Sequence, residues 1–159
     1  MKPLIGLRIL GSMFADYGAE VVKIEKPGSG DSIRKRGSDG NHPEGVYQAY
    51  YNRGKKSVTV DVTKPQGQEI IRRMVPHFDM MAANVSEEVL KGWGLGYETV
   101  NQLNPKLIYG ILTPFGEEGP WKDYPDYDLV VMARSGLLAQ TGFPEKPTRI
   151  GFPLSYYYG

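Results

Sequence analysis

Basic residues gather around glycine-rich turns in two segments of this sequence, KIEKPGSGDSIRKR and NRGKKS. The basic residues close to these turns are Lys26, Arg34, Lys35, Arg36, Arg53, Lys55 and Lys56. Glycine lets backbone N–H groups approach an anion while Lys and Arg supply charge, so the two segments could form a cationic rim for phosphates. The alternative is a pair of solvated loops, because runs of charge are usually exposed faces of a protein.

Three further positions have side chains that could contact a ligand. Residues 115–120, FGEEGP, form a glycine-bounded loop that could close over a ligand or be only a turn. Asn84 ends an apolar segment, where it could bind a ligand or cap the helix that follows. Glu25 resembles the ribose-binding acid of a dinucleotide fold, but no GxGxxG follows the first predicted strand.

The overall composition excludes several classes of function. A net charge of +1 argues against a general nucleic-acid or membrane-surface binder. No cysteine is present, so disulfides, thiolate zinc sites and cysteine nucleophiles are excluded. Two isolated histidines, His42 and His77, make a metal site unexpected. No long apolar run or signal-peptide pattern occurs, and we expect a cytoplasmic protein.

Alternating strand and helix patterns position these candidates. Strands are predicted over residues 4–10, 20–24, 57–62, 79–85, 106–112 and 149–154. Helices are predicted over residues 12–17, 66–75, 97–103 and 128–138, with Pro65 at a first helical position and Ser86 as an N-cap. This alternation predicts an α/β fold with a mostly parallel sheet, whose ligands would bind at the carboxyl ends of the strands.

Several linked motifs, in a fixed order, resemble one enzyme family. They are PLIGLRIL, FADYGAEVVKIEKPGSGD, NRGKKSVTVDV, DMMAANVSEEVLKGWGLGYETVNQLNPKLIYGILTPFGEEGP and YDLVVMARSGLLAQTGFPEKPTRIGFPLS. Together they are similar to the class III CoA-transferases, the superfamily of formyl-CoA transferase, crotonobetainyl-CoA:carnitine CoA-transferase and α-methylacyl-CoA racemase. The resemblance covers essentially the whole chain. It implies a Rossmann-like sheet flanked by helices, with residues 1–159 as the N-terminal portion of the large domain and the small domain and C-terminal return absent.

The resemblance also implies an activity, substrates and site residues. Family members transfer coenzyme A (CoA) from an acyl-CoA to a carboxylic acid through an aspartyl anhydride and an aspartyl-CoA thioester. They need no metal and form interlocked homodimers, and no nucleic acid or membrane partner is implied. The positions that match the CoA-binding segments are Lys26, Arg53, Lys56, Asn84 and Val85. Those that match the active-site loop are Gly116, Glu117, Glu118 and Gly119.

The sequence departs from the family pattern at two places that matter for chemistry. The family reads approximately G-V-P-[IVL]-[AS]-D-Y-x-x-G, and its Asp is the nucleophile. Here the residues from Gly151 to Ser155 follow that pattern, but Tyr156 comes next and the Asp is missing between them. Near the start, Leu10 runs directly into Gly11, without the D-L segment and A-G-P-[YF] turn that help to hold CoA in the family.

These departures leave three interpretations open. The first is a CoA-transferase, the second is a catalytically inactive CoA-binding or interaction module, and the third is a truncated fragment. Asp126 and Asp128 are possible substitutes for the nucleophile, but both are better explained as helix caps. Within the superfamily the alternative activity is that of an acyl-CoA racemase, which needs an Asp–His acid–base pair. Neither His42 nor His77 falls in the segments expected for that pair.

Overall fold

The computed structural model describes residues 5–37, 45–125, 127–149 and 151. Its helices are α1 (Ile5–Asp16), α2 (Val46–Tyr51), α3 (Pro65–Met74), α4 (Glu87–Gly92), α5 (Tyr97–Leu103) and α6 (Asp128–Arg134). Its strands are β1 (Val21–Glu25), β2 (Lys55–Thr59), β3 (Met80–Ala83), β4 (Ile108–Ile111), β5 (Gly142–Phe143) and β6 (Lys146–Pro147). Short 3-10 helices cover Ser32–Lys35, Val75–His77 and Leu137–Gln140.

Two parallel strand pairs, each joined by a helical crossover, define the fold. Strand β1 pairs with β2 from Val21↔Lys55 to Glu25↔Thr59, and β3 pairs with β4 from Met80↔Ile108 to Ala83↔Ile111. A parallel pair needs such a crossover, because a tight turn can join only antiparallel strands. The prediction of an α/β fold with parallel strands and flanking helices is confirmed. Within the described residues the strands form three two-stranded sheets, the third being the antiparallel β5–β6 hairpin.

The predicted strand over residues 4–10 is wrong for its described part, residues 5–10, which belongs to the continuous helix α1. No turn separates Leu10 from Gly11 and Ser12, so the apolar run has no place to reverse direction before the predicted helix. Contacts from other elements also hold the helical form. The Ser12 hydroxyl donates a 2.6 Å hydrogen bond to the Tyr51 carbonyl, and Gly11 leaves the room through which the Lys55 side chain passes.

Predictions that rest on local signals agree with the structure. Helix α3 begins at Pro65, as the missing N–H of proline allows at a first helical position. The Ser86 side chain accepts a hydrogen bond from the Val89 N–H and caps α4. Helix α5 has the predicted bounds. None of the helices in the described ranges is long and apolar enough to cross a membrane.

The predictions are less accurate in the last third of the chain. Helix α6 ends at Arg134 rather than at residue 138, because Gly136 takes a φ of 81° and a 3-10 helix follows. Most of the predicted strand over residues 149–154 lies outside the described residues, and Arg149 and Gly151 are not in a strand. Helix α2 and the β5–β6 hairpin were not predicted.

Two apolar clusters hold these elements together. The larger one centres on Val60, Ile71, Leu90 and Leu95, and therefore joins the end of β2 to α3 and α4. The smaller one pairs Ile33 with Tyr51 and places the loop after β1 against α2, with Ile9 and Tyr47 packed around it. All six buried side chains are at most 7 % exposed, so burial of apolar surface stabilises both halves of the fold.

Glu25, at the end of β1, is a buried carboxylate that links three parts of the fold. It is only 5 % exposed. Its oxygens accept hydrogen bonds from the Arg34 guanidinium at 2.8 Å, from the Asp31 N–H at 2.8 Å and from the Ser57 hydroxyl at 2.9 Å. These bonds, with that of Arg34 foremost, lower the pKa of Glu25 to about 2 despite its burial. The carboxylate therefore ties β1 to β2 and to the following loop.

We expect Glu25→Gln to lower the free energy of unfolding by about 3 kcal/mol near neutral pH, since it removes the buried negative charge that accepts two hydrogen bonds from Arg34. The folded pKa lies below the ordinary value of 4.5, so this stabilisation is complete above pH 4.5 and is lost as the pH falls towards 2. Urea unfolding of the parent and of Glu25→Gln at pH 7 and pH 3 measures the difference in unfolding free energy at each pH.

Glu20→Gln is the matched control, because the Glu20–Lys56 ion pair is exposed and its loss should change stability little. Equal effects of the two substitutions would contradict the assignment of a structural role to Glu25.

Candidate functional site

Three of the expected site segments follow the carboxyl ends of parallel strands. Lys26 comes directly after β1, and Asn84 with Val85 comes directly after β3. The loop over residues 116–119 comes shortly after β4. Ligands of parallel α/β folds bind at this edge, because the connecting loops and helix N-termini converge there. Lys26 is exposed, and among the described residues neither its side chain nor that of Asn84 makes a hydrogen bond.

In the part of the chain that the structure describes, a hydrogen bond holds the loop over residues 116–119 against the segment that follows Val85. The Glu117 carboxylate accepts a 2.9 Å hydrogen bond from the Glu87 backbone N–H, the first residue of α4. Gly116 and Gly119 have φ angles of 78° and 92°, a left-handed region that favours glycine and lets the loop turn back. The loop is thus held against the segment that follows β3. Val85 itself packs on the larger apolar cluster.

A polar group that no local sequence pattern indicates lies next to this loop. The Glu87 carboxylate accepts hydrogen bonds from the Tyr97 N–H and the Tyr109 hydroxyl, both at 2.9 Å. Burial, together with the negative charges of Glu87 and Glu117, raises the pKa of Tyr109 well above its usual range. Tyr109 therefore stays protonated and serves as a hydrogen-bond donor that steadies α4. Its partner lies 22 residues away in sequence, too far for a local pattern to reveal.

The other two expected CoA-binding cations lie towards the amino end of β2. Lys56 pairs with Val22, four residues before Lys26, so the two lysines are separated by about 13 Å along the sheet. Lys56 forms a 2.9 Å ion pair with Glu20. Arg53 precedes β2 and is therefore still farther from Lys26.

Arg53 is held by groups within the chain. Its guanidinium donates hydrogen bonds to the Asp16 carboxylate and to the Tyr50 carbonyl, and it lies over the Tyr50 ring. The hydrogen bonds that Arg53 donates to the Asp16 carboxylate raise the pKa of Arg53. An anionic ligand at Arg53 would have to compete with the Asp16 carboxylate.

Two of the basic residues that could form a cationic rim are instead hydrogen-bonded to groups within the fold. Arg34 donates two hydrogen bonds to Glu25, which also makes that acid unavailable to a ribose. Lys55 donates to the Arg8 and Tyr51 carbonyls at 2.6 and 2.8 Å and so joins α1 to α2. Burial, together with the neighbouring positive charges of Lys23 and Arg8, lowers the pKa of Lys55 to about 8. Of the other basic residues, Arg36 lies over the Tyr47 ring.

No set of three or more His, Cys, Asp or Glu side chains within the described ranges is arranged to hold a metal ion. The candidate groups are a lysine after a strand of the β1–β2 pair, and an amide and a glycine-bounded loop after strands of the β3–β4 pair. Such groups bind a substrate through charge and hydrogen bonds.

Comparison with known proteins gives the family. The model of CoA-transferase family III matches residues 4–159, and the chain belongs to this family. Succinyl-CoA--D-citramalate CoA-transferase of Chloroflexus aurantiacus is 41 % identical over 96 % of the chain and 41 % of its own length. Human succinyl-CoA:glutarate CoA-transferase is 36 % identical over 100 % of the chain and 40 % of its own length. The chain thus spans about two fifths of these curated relatives.

Solved structures agree with this assignment. A CAIB/BAIF family protein from Brucella suis superposes with a TM-score of 0.86 at 32 % identity, over 98 % of this chain and 42 % of that one. Rv3272 from M. tuberculosis superposes with a TM-score of 0.82 at 36 % identity, over 94 % and 42 %. The α/β arrangement of the chain is therefore that of the family.

The lowered pKa of Lys55 predicts a dependence of stability on alkaline pH. Between the folded value of about 8 and the ordinary value of 10.5, the unfolded chain binds more protons, so raising the pH stabilises the folded state. We expect the parent to gain on the order of 2 kcal/mol relative to Lys55→Met over this interval. Urea unfolding of both proteins at pH 7.5 and pH 10 measures the difference.

Lys106→Met removes an exposed lysine and is the control, because it should leave the pH dependence of the parent unchanged. A constant difference between the parent and Lys55→Met at both pH values would contradict the burial of a charged Lys55.

Proposed function

We propose that residues 1–159 correspond to the N-terminal portion of the large domain of a CoA-transferase, and that the protein transfers CoA between an acyl-CoA and a carboxylic acid. Family membership supports the reaction class, and the positions of Lys26, Asn84 and the loop over residues 116–119 after the carboxyl ends of parallel strands support a ligand site in this chain. The names of the relatives pair an acyl-CoA with a carboxylate, in agreement with these substrates.

Each site residue has a proposed part in binding the acyl-CoA. Lys26 faces the CoA nucleotide and supplies positive charge, while Asn84 and Val85 line the channel next to it. Lys56 and Arg53 extend the cationic surface towards the amino end of β2, and there the ligand competes with Glu20 and Asp16. The loop over residues 116–119 covers the reacting end. The resemblance further implies a homodimer, which we retain as part of the proposal.

The proposed chemistry needs a carboxylate nucleophile. An aspartate attacks the thioester carbonyl and expels the CoA thiolate, which leaves an acyl-aspartyl anhydride. The thiolate then attacks the aspartyl carbonyl, releases the first acid and forms an aspartyl-CoA thioester, from which the acceptor acid takes the CoA by the same two steps in reverse. Splitting the exchange in this way replaces one difficult step by several easier ones. This sequence has no Asp between Ser155 and Tyr156, a position outside the described residues.

The missing aspartate favours a second candidate, a catalytically inactive module that binds CoA. Such a module would retain Lys26, Asn84 and the loop while lacking the covalent intermediate. Ser155 cannot replace the aspartate, because a hydroxyl does not form an anhydride with an acyl group. Binding without covalent transfer distinguishes this candidate from the transferase.

We expect Lys26→Ala to weaken CoA binding by about tenfold, the value of one lost charge-assisted contact with a phosphate. Isothermal titration calorimetry with CoA at low and high salt gives the affinities, and the loss should shrink as salt screens the charge. Lys106→Ala is the control, because Lys106 precedes β4 and lies at the opposite end of that strand. Equal affinities for the parent and Lys26→Ala would show that Lys26 does not contribute to CoA binding.

Intact mass spectrometry of the chain, alone and after incubation with succinyl-CoA, tests covalent chemistry. The parent should form no hydroxylamine-sensitive adduct, because it lacks the nucleophile. A variant with an Asp inserted between Ser155 and Tyr156 should gain an adduct at that residue, and one with an Asn inserted there should not. CoA binding without an adduct in any variant would favour the inactive module, and an adduct on the parent would reveal another nucleophile.

A further inference from the structure

Arg134, near the end of α6, makes three contacts with the turn that follows the active-site loop. Its guanidinium carbon lies 4.6 Å from the centre of the Tyr124 ring and 5.1 Å from that of Trp121. One guanidinium nitrogen, Nη2, also donates a 2.7 Å hydrogen bond to the Tyr124 hydroxyl. The planar guanidinium thus lies over two aromatic rings and donates a directed hydrogen bond to the hydroxyl of Tyr124. These contacts hold both rings in a fixed position relative to α6.

The two rings are connected to both ends of the loop. The Tyr124 ring packs edge-to-face on Phe115, with centroids 5.9 Å apart and planes at 80°. Phe115 is the residue before Gly116, while Trp121 lies two residues after Gly119. The Tyr124 N–H donates to the Trp121 carbonyl at 2.9 Å and closes the turn between the two rings. Arg134 therefore contacts Trp121 after the loop directly and is connected to Phe115 before the loop through the Tyr124 ring.

The loop itself has few internal restraints. Gly116 and Gly119, which bound it, both have positive φ angles and cost the most backbone entropy to hold in one conformation. Its contact with the rest of the site is the hydrogen bond from the Glu87 N–H to the Glu117 carboxylate. A loop of this kind keeps its place only if both of its ends are fixed.

We propose that Arg134 is a positioning residue that fixes the base of the active-site loop, so that Glu117 stays bonded to the Glu87 N–H beside Asn84. The structural part of this proposal stands on the contacts of Arg134 alone. Its consequence for CoA binding rests on the proposed function.

Hydrogen exchange of the unliganded 159-residue chain tests the structural part. In Arg134→Leu we expect the Glu87 amide and the amides of residues 116–124 to exchange about tenfold faster than in the parent, because the loop opens more often. In Arg134→Lys the charge over the rings is retained but the planar fork is lost, so exchange should be intermediate.

Arg36→Leu is the matched control, since Arg36 lies 5.1 Å from the Tyr47 ring, away from the loop. It should leave exchange at Glu87 unchanged. The proposal is overturned if Arg134→Leu exchanges at Glu87 like the parent. It is also overturned if the faster exchange extends equally to α3, since that pattern reports general destabilisation.

Calorimetry with CoA on the same proteins tests the consequence. Arg134→Leu should bind CoA several-fold more weakly than the parent, with partial recovery in Arg134→Lys and no change in the Lys106→Ala control. If the parent does not bind CoA at all, the proposed function fails while the exchange result still decides the role of Arg134. If Arg134→Leu loosens the loop and binds CoA as tightly as the parent, a positioning role in binding is overturned.

Discussion

Two buried carboxylates, Glu25 and Asp31, hold the first half of this fold in one arrangement. Glu25 joins β1 to Ser57 of β2 and to Arg34 in the loop. Asp31 accepts hydrogen bonds from Arg8 of α1 and from Lys23 of β1, and although burial would raise its pKa, these two cations lower it. Charges removed from water at this depth persist only when each is paired and hydrogen-bonded. The arrangement of α1, β1, β2 and their loop therefore depends on these ion pairs.

The need to neutralise these two buried carboxylates separates the basic residues that pair with them from the lysines that stay at the surface. Arg8, Lys23 and Arg34 neutralise the buried acids, and their positive charge is used inside the fold. Lys26 and Lys56 are exposed and remain accessible to an anionic ligand. The cationic surface of the proposed site is consequently narrower than the number of basic residues in the sequence suggests, and its position is set by which lysines the ion pairs leave at the surface.

The second half of the fold supplies the other side of the proposed site in a different way. Helix α4 is fixed by the apolar cluster around Leu90 and by the hydrogen bonds of Glu87 to Tyr97 and Tyr109. The first residue of this helix donates its backbone hydrogen bond to Glu117, which lies in a loop bounded by two glycines. The hydrogen bond from the Glu87 N–H to the Glu117 carboxylate therefore joins a fixed helix end to a glycine-bounded loop.

The sequence by itself determined the features that depend on neighbouring residues. Pro65 starts α3, Ser86 caps α4, α5 has its predicted bounds, and the linked motifs identify the family. The tertiary structure alone decided the features whose partners are distant. Residues 4–10 have strand-like side chains, yet the described part of this segment is helical and is held by contacts with Tyr51 and Lys55. Capping and propensity act within one turn of chain, whereas the partner of a buried charge or hydroxyl is fixed only when distant segments pack together.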